Sequence, residues 1–415
     1  MQILIHNSDS PDNRGDRAIL AGVIELARRQ WPGAEIWSLS THPERDEAWF
    51  GIRFAKQSPY STNPFEWLRL RTLARRSDVV LWGGGEIMKD YTNRLGLVYW
   101  EIKIAMLSRV NRAIVGAFQG IGPTSAQSSR RRIRRTVDHT RLFFVRDEES
   151  HDKLVSWGAK TPVIASYDPA VLLVPTDWSA ALEARVAAAT GLDAQQLSNA
   201  IGFGVRRWFH YQRGGLIPVK FRFWQRGAQK ETSPSFETYV GNLAEVADRL
   251  IERDDCDIVF FPMHIHPSEG DAEFAHQMIQ RMRNPDRAIV IETDEFSPGE
   301  FAAIMGRMRL FVASRLHSAI LATLAGVPSF VLYYVDKGRL YFEQLGMERW
   351  SAPIEDMLRP DAVERLGESL EHLAAATDSV RAELAERTTS MGARVREQFA
   401  DGIAGMTGGS HKLPD

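Results

Sequence analysis

The sequence predicts an α/β protein made of two Rossmann-like domains facing a central cleft. Three observations carry this. The chain has 415 residues, beyond the size at which a single hydrophobic core keeps growing. Short apolar runs alternate with longer stretches of helical period, which is the pattern of strand and crossover helix in a parallel sheet. Glycines, arginines and histidines gather just after the predicted strands, the end of such a sheet at which ligands bind.

Strands at 2–5, 35–39, 79–82, 113–118, 142–145 and 163–165 build a first domain, 1–176. Between the first two lies a helix at 18–30, where Ile19, Gly22, Val23 and Leu26 share one face. An alanine-rich stretch, 177–198, reads as a linker region. Strands at 200–205, 257–262, 288–291, 310–313 and 329–333 build the second domain, 199–355. Polar C-terminal helices follow at 356–406, then a disordered tail, 407–415. Two doubly wound domains facing one another are the arrangement of the glycosyltransferase-B class.

Composition narrows the classes. No run of about 18 apolar residues occurs, and the N-terminus lacks the basic, apolar and small-residue regions of a secretory signal. The single Cys256 excludes an internal disulfide and any multi-cysteine metal site. The chain is therefore expected to be cytoplasmic. Its net charge of −2 gives no reason to expect nucleic acid as a partner, and an anionic ligand must be held by local charge. The pair Asp255 and Asp257 precedes its strand, on the side away from the cleft, so no metal is predicted. The basic run Arg130-Arg131-Arg132-Ile133-Arg134-Arg135 reads as the solvated face of a helix.

After the first strand comes Asn13-Arg14-Gly15-Asp16, leading into the helix, and after the third Gly83-Gly84-Gly85-Glu86, with Asp90 beyond. Glycines there let backbone amides approach a ligand, and helix N-termini favour anions. Gln119-Gly120-Ile121-Gly122-Pro123, Arg146-Asp147-Glu148-Glu149-Ser150 and Tyr167-Asp168-Pro169-Ala170 follow later strands. In the second half, Arg206-Arg207, Pro262-Met263-His264 and Ser314-Arg315-Leu316-His317 do the same. Ser314 reads as an N-cap that places Arg315 and His317 in the first turn of an apolar helix. A cation there opposes the helix macrodipole, and an anionic ligand would supply the reason for it.

These blocks, in order, together with Tyr334 and Lys337, resemble the polysaccharide pyruvyltransferase family over about residues 13–346. The resemblance implies a glycosyltransferase-B-like fold with phosphoenolpyruvate as donor substrate and no cofactor. The product would be a ketal-linked pyruvate on a sugar of an exopolysaccharide or cell-envelope glycan, the acceptor being a sugar or lipid-linked oligosaccharide. The first domain would take the acceptor and the second the donor. Arg315 and His317 match the family's Arg-x-His, and Arg206 a further arginine that contacts the donor. Asn13, Gly84, Gly85, Gln119, Gly120 and Lys337 complete the implied substrate contacts. Two departures stand in the first domain: Arg17, where an acidic residue is usual, and Glu86, where a small one is.

The chemistry fits the residue types. Phosphoenolpyruvate carries a carboxylate and a phosphate, which arginine forks bind bidentately; Arg315 and Arg206 are the first choices, with Lys337 as a point charge on the phosphate. Ketal formation needs a proton on the methylene carbon, for which His317 is the candidate general acid, and a base for the sugar hydroxyl, for which Asp16, Asp90 and His264 are candidates. A nucleotide-sugar glycosyltransferase of the same architecture is the alternative enzyme. A non-catalytic sugar- or phosphate-binding module would keep the arginines without needing His317. Lys220, Phe221, Arg222, Phe223, Trp224 and Arg226 lie in a long loop, 217–230, read as touching either the glycan acceptor or an anionic membrane surface that carries it.

Overall fold

Runs such as Val79-Val80-Leu81-Trp82 and Leu142-Phe143-Phe144-Val145 are buried along their whole length, as happens when helices cover both faces of a parallel sheet. Each fully buried aliphatic side chain contributes on the order of 1.5–3 kcal/mol. The computed structural model describes residues 1–7, 13–90, 94–208, 234–265 and 270–408; the loop 217–230 lies outside the described residues.

The first sheet holds seven parallel strands: β1 (Gln2–Asn7), β2 (Glu35–Ser40), β3 (Arg53–Lys56), β4 (Val79–Gly83), β5 (Ile114–Gln119), β6 (Leu142–Val145) and β7 (Val163–Ala165), in the order β3-β2-β1-β4-β5-β6-β7. Its helices are α1 (Arg14–Gln30), α2 (Pro43–Phe50), α3 (Pro64–Arg76), α4 (Arg94–Ser108), α5 (Gln127–Val137) and α6 (Glu148–Ser156). Two short helices, α7 (Ala180–Thr190) and α8 (Ala194–Asn199), lead to the second sheet. That sheet has six parallel strands, β8 (Ile201–Gly204), β9 (Ile258–Phe260), β10 (Ala288–Val290), β11 (Leu310–Ala313), β12 (Ser329–Tyr333) and β13 (Ser351–Pro353), in the order β10-β9-β8-β11-β12-β13. It is covered by α9 (Pro234–Asp254), α10 (Asp271–Ile279), α11 (Pro298–Met305), α12 (Leu316–Leu324) and α13 (Asp336–Gln344), and the chain ends in α14 (Ala362–Ala375) and α15 (Thr377–Gly408). Strand order reverses between β1 and β4 in one sheet and between β8 and β11 in the other. Such reversals open a crevice at the carboxyl ends of the strands.

Eleven strands fall where the sequence predicts them. The other two, β3 and β13, are edge strands whose residues carry too little apolar pattern to flag them. Only Phe54 of β3 is buried, and β13 ends on Pro353, which has no amide to give the ladder. The stretch 177–198, read as a linker, is mostly helical, and it ties to the second domain through Arg185 to Glu300 at 2.5 Å. The C-terminal helices divide their allegiance. Arg253 of α9 pairs with Glu371 of α14 at 2.6 Å, whereas α15 returns to the first domain, where Phe399 packs on Phe118 and Phe144 at ring distances of 6.1 and 5.5 Å. Val380, Leu384, Met391, Val395, Phe399 and Ile403 form its buried stripe at helical spacing.

Candidate active site

Helix α1 starts at Arg14, earlier than the predicted 18, because Asn13 is its N-cap and accepts a hydrogen bond from the Gly15 amide at 2.9 Å. The block Arg14-Gly15-Asp16 is thus the first helical turn, and it reaches across to the second domain. Arg14 donates to the carbonyls of Pro262 and Thr293, both at 2.6 Å, and lies over the Phe301 ring. Burial, then Arg17, lowers its pKa to about 9. Arg17, the residue that departs from the family pattern, forms a forked pair with Asp294 of the second domain at 2.5 and 3.0 Å, and Arg45 joins the same carboxylate. Its place is in the domain junction. Asp16 is buried in this first turn, where a carboxylate complements the macrodipole.

Gly15 lies directly against the His317 ring: a Cβ built on it would come within 2.2 Å of Nδ1. Gly15→Ala favours the helix intrinsically by roughly 1 kcal/mol, yet it must displace the imidazole. The variant is expected to fold normally and to lose turnover with little change in donor affinity, which steady-state kinetics beside a melting curve will show.

Behind His317 runs a chain of alternating charge, Glu86–Arg146–Asp168, that ends at the His317 ring. Arg146 donates to Asp168 and to Glu86, both at 3.3 Å, and Asp168 Oδ2 stands 3.4 Å from His317 Nε2, an ion-pair distance. Glu86, Arg146 and Asp168 expose 8% of their side chains or less, so the charges must balance one another. Burial pushes the Asp168 carboxyl up, but His317 and Arg146 outweigh it and hold it below the usual range. Burial likewise acts on Glu86 against Lys337, Lys89 and Arg146, which win and bring it down to about 2. The glycines make room for this chain. Gly83, Gly84 and Gly85 have φ of 124°, 103° and 71°, values an L side chain rarely adopts, and a Cβ on Gly120 would meet the Arg146 guanidinium at 2.6 Å. The Gly120 amide donates to the Gly85 carbonyl, and Gln119 is fully buried beside Gly83.

On the second domain, β8 and β11 end side by side. Ser314 does not cap α12. Its hydroxyl accepts from the Arg206 amide at 2.9 Å, and Arg315 itself is the N-cap residue, with extended backbone, so His317 sits in the first turn and Arg315 just before it. The Arg315 guanidinium donates to Asp271, whose other oxygen accepts the amides of Met263 and His264. His264 in turn bridges Asn13 across the domains. Arg206 donates to the Tyr334 hydroxyl at 2.7 Å and lies over its ring. Burial pushes the Tyr334 phenol up, but Arg206, Lys337, Arg315 and Lys89 outweigh it and bring it down to about 8.

The structure therefore gathers Asn13, Asp16, His264, Arg206, Arg315, His317 and Lys337 at the junction of the two sheets. Asp90 is buried, and its two oxygens accept the backbone amides of Ser125 and Ala126, so it clasps the loop before α5. Among the described residues no cluster of three His, Cys, Asp or Glu could hold a metal ion. Asp255 and Asp257 pair instead with Arg287. Glu86, Arg146, Asp168 and Tyr334 stand in the blocks that the sequence places at the cleft but are given no role there, and Asp271 was not foreseen. Each stands just beyond a predicted strand or in a helix start, but the pairs span up to 149 positions (168 to 317).

Two doubly wound parallel sheets, meeting at their switch points over a lining of arginines and an Asp-His pair, define a protein of glycosyltransferase-B-like fold. More narrowly, the chain belongs to the polysaccharide pyruvyl transferase family, whose profile matches residues 13–336. A search among curated proteins finds no match. Among solved structures, the chain is similar to a UDP-GlcNAc 2-epimerase from Methanocaldococcus jannaschii, 13% identical with a TM-score of 0.56 over 89% of this chain and 92% of that one. It is also similar to a UDP-GlcNAc 2-epimerase from Neisseria meningitidis (12%, 0.54, 98% and 100%) and to ADP-heptose lps heptosyltransferase II from E. coli (13%, 0.50, 91% and 100%). Identities this low show a common fold only.

Proposed function

We propose that the protein transfers a pyruvyl group from phosphoenolpyruvate to two hydroxyls of one sugar, forming a pyruvate ketal on an exopolysaccharide or cell-envelope glycan. The observation that carries this reading is the convergence of Arg206, Lys337, Arg315 and Lys89 on Tyr334, a concentration of positive charge suited to a small, multiply charged anion. Arg206 and Arg315 take the carboxylate and phosphate, with Asp271 fixing one edge of the Arg315 fork. His317 gives a proton to the methylene carbon, which becomes the methyl group. The first sugar hydroxyl adds to the central carbon, phosphate leaves with the bridging oxygen, and the second hydroxyl closes the ketal. Asp168 at Nε2 orients the imidazole and balances its charge while it holds the proton. Asp16, next in the chain to Gly15 which touches the His317 ring, and His264, which bridges Asn13, would accept the hydroxyl protons.

The test is phosphate release from phosphoenolpyruvate in the presence of candidate pyranosides, without added metal. Release that depends on the pyranoside supports the reading. A uridine or guanosine diphosphate-sugar that raises the melting temperature where phosphoenolpyruvate does not would favour a glycosyltransferase instead.

The Tyr334 phenol carries a pH prediction. Its folded pKa of about 8 lies below the ordinary value, so ionisation adds stability that is full above about pH 10 and fades as pH falls through about 8. The phenolate also competes with the donor for the same cations. The donor KM is therefore expected to rise above about pH 8 in the native protein, and Tyr334→Phe is expected to flatten that limb; KM measured across the alkaline range checks both.

A further inference from the structure

We infer that the outward face of α3 and α4 docks on an anionic lipid bilayer. Among the described residues seven large apolar side chains are exposed, and four of them sit on these two helices: Phe65 at 74%, Leu68 at 57%, Leu95 at 47% and Ile102 at 53%. Single exposed apolar residues are ordinary, but a cluster marks an interaction surface. The inner face of α4, with Leu97, Trp100, Ile104 and Leu107, is already buried on the sheet. Its outer face repeats the apolar pattern at Leu95, Val98 and Ile102. A helix apolar on both sides is one with a partner on both sides.

Charge identifies the partner. Arg69, Arg71, Arg75 and Arg76 of α3 are exposed, as are Arg94, Arg109 and Arg112 at the ends of α4, and none pairs with a carboxylate among the described residues. Of the acids between 64 and 112, only Asp78 is exposed; Glu101 is bound by Arg132 and Arg135 of α5. A chain of net charge −2 thus concentrates seven unpaired arginines around an apolar stripe. A second copy is a poor occupant, because a two-fold interface would set these arginines against themselves. Apolar side chains rimmed by arginine suit the boundary of acyl chains and anionic headgroups, to which each basic residue near the surface adds attraction. Helices α3 and α4 begin at the carboxyl ends of β3 and β4, so Phe65 and Leu95 lie at the cleft end of the sheet, and docking there would hold the cleft mouth at the bilayer.

Flotation of the full chain with vesicles tests this, comparing phosphatidylcholine alone with phosphatidylcholine containing phosphatidylglycerol. Binding is expected only with phosphatidylglycerol and is expected to weaken with salt. The variants Phe65→Ser with Leu68→Ser and Ile102→Ser, and Arg69→Gln with Arg71→Gln, Arg75→Gln and Arg76→Gln, should each reduce it at least about tenfold while keeping the native melting curve. Leu68→Cys carrying an environment-sensitive fluorophore gives a second readout, since the native Cys256 is buried; its emission should shift to the blue with phosphatidylglycerol vesicles only. Equal binding to both vesicles, no binding to either, or variants that bind like the native chain would overturn the proposal. So would a dimer in sedimentation that the serine variant dissociates, which gives the face to a second copy. Loss of binding in Phe223→Ser with Trp224→Ser, but not in the helix variants, would move it to the loop.

Discussion

His317→Asn is expected to lower turnover by about 10²- to 10⁴-fold, the usual contribution of a positioned proton donor, while costing far less in donor binding. Asparagine keeps a polar group beside Asp168 and Gly15 but has no acid proton to deliver, so binding and rate should separate. His317→Ala should lose the rate equally. Solvent deuterium reads the step itself, because a donated proton ends in the methyl group of the product. If His317→Asn turns over near the native rate and still incorporates deuterium, the acid is another residue, with His264 the next choice.

Arg146→Met is expected to have the largest effect on stability. The guanidinium is the counter-charge shared by Glu86 and Asp168, both nearly inaccessible. Removing one partner of a buried ionic group typically costs about 3–5 kcal/mol, since the remaining charges lose their balance. Glu86 keeps Lys89 and Lys337 and Asp168 keeps His317, so Arg146→Met should fall at the lower end of that range by urea denaturation at neutral pH. Adding Glu86→Gln to it should recover part of the loss, and a double-mutant cycle measures how much. Equal stability of native and Arg146→Met chains would mean that the charge chain does not hold the cleft together.

Much of the fold was legible because the inner strands are apolar on both faces and carry turn residues at their ends. The edge strands β3 and β13 were not, since only one residue of the first is buried and the second is three residues ending in proline. The return of α15 to the first domain was hidden as well: its apolar stripe shows that it packs, but not on which sheet. In the site, Arg315 and His317 stood out because cations at a helix start conflict with the macrodipole, although the reading of Ser314 as the cap was off by one residue. What ties them down was not legible. Asp271 and Asp168 look like ordinary helix-start acids, and only the strand order shows that one faces Arg315 and the other His317. Arg14 and Arg17 read as the approach to a helix, yet they stitch the two domains together. The hold of Asp90 on the amides of Ser125 and Ala126 was not legible either, since the two loops lie some 35 positions apart.

Crystals soaked with phosphoenolpyruvate test the placement of the donor, and with it the proposed chemistry, most directly. Density is expected between the domains, with the carboxylate and phosphate on Arg206, Arg315 and Lys337 and the methylene carbon beside His317. Density for the donor away from these side chains, or a cleft that takes a nucleotide-sugar and leaves phosphoenolpyruvate in solution, would contradict it.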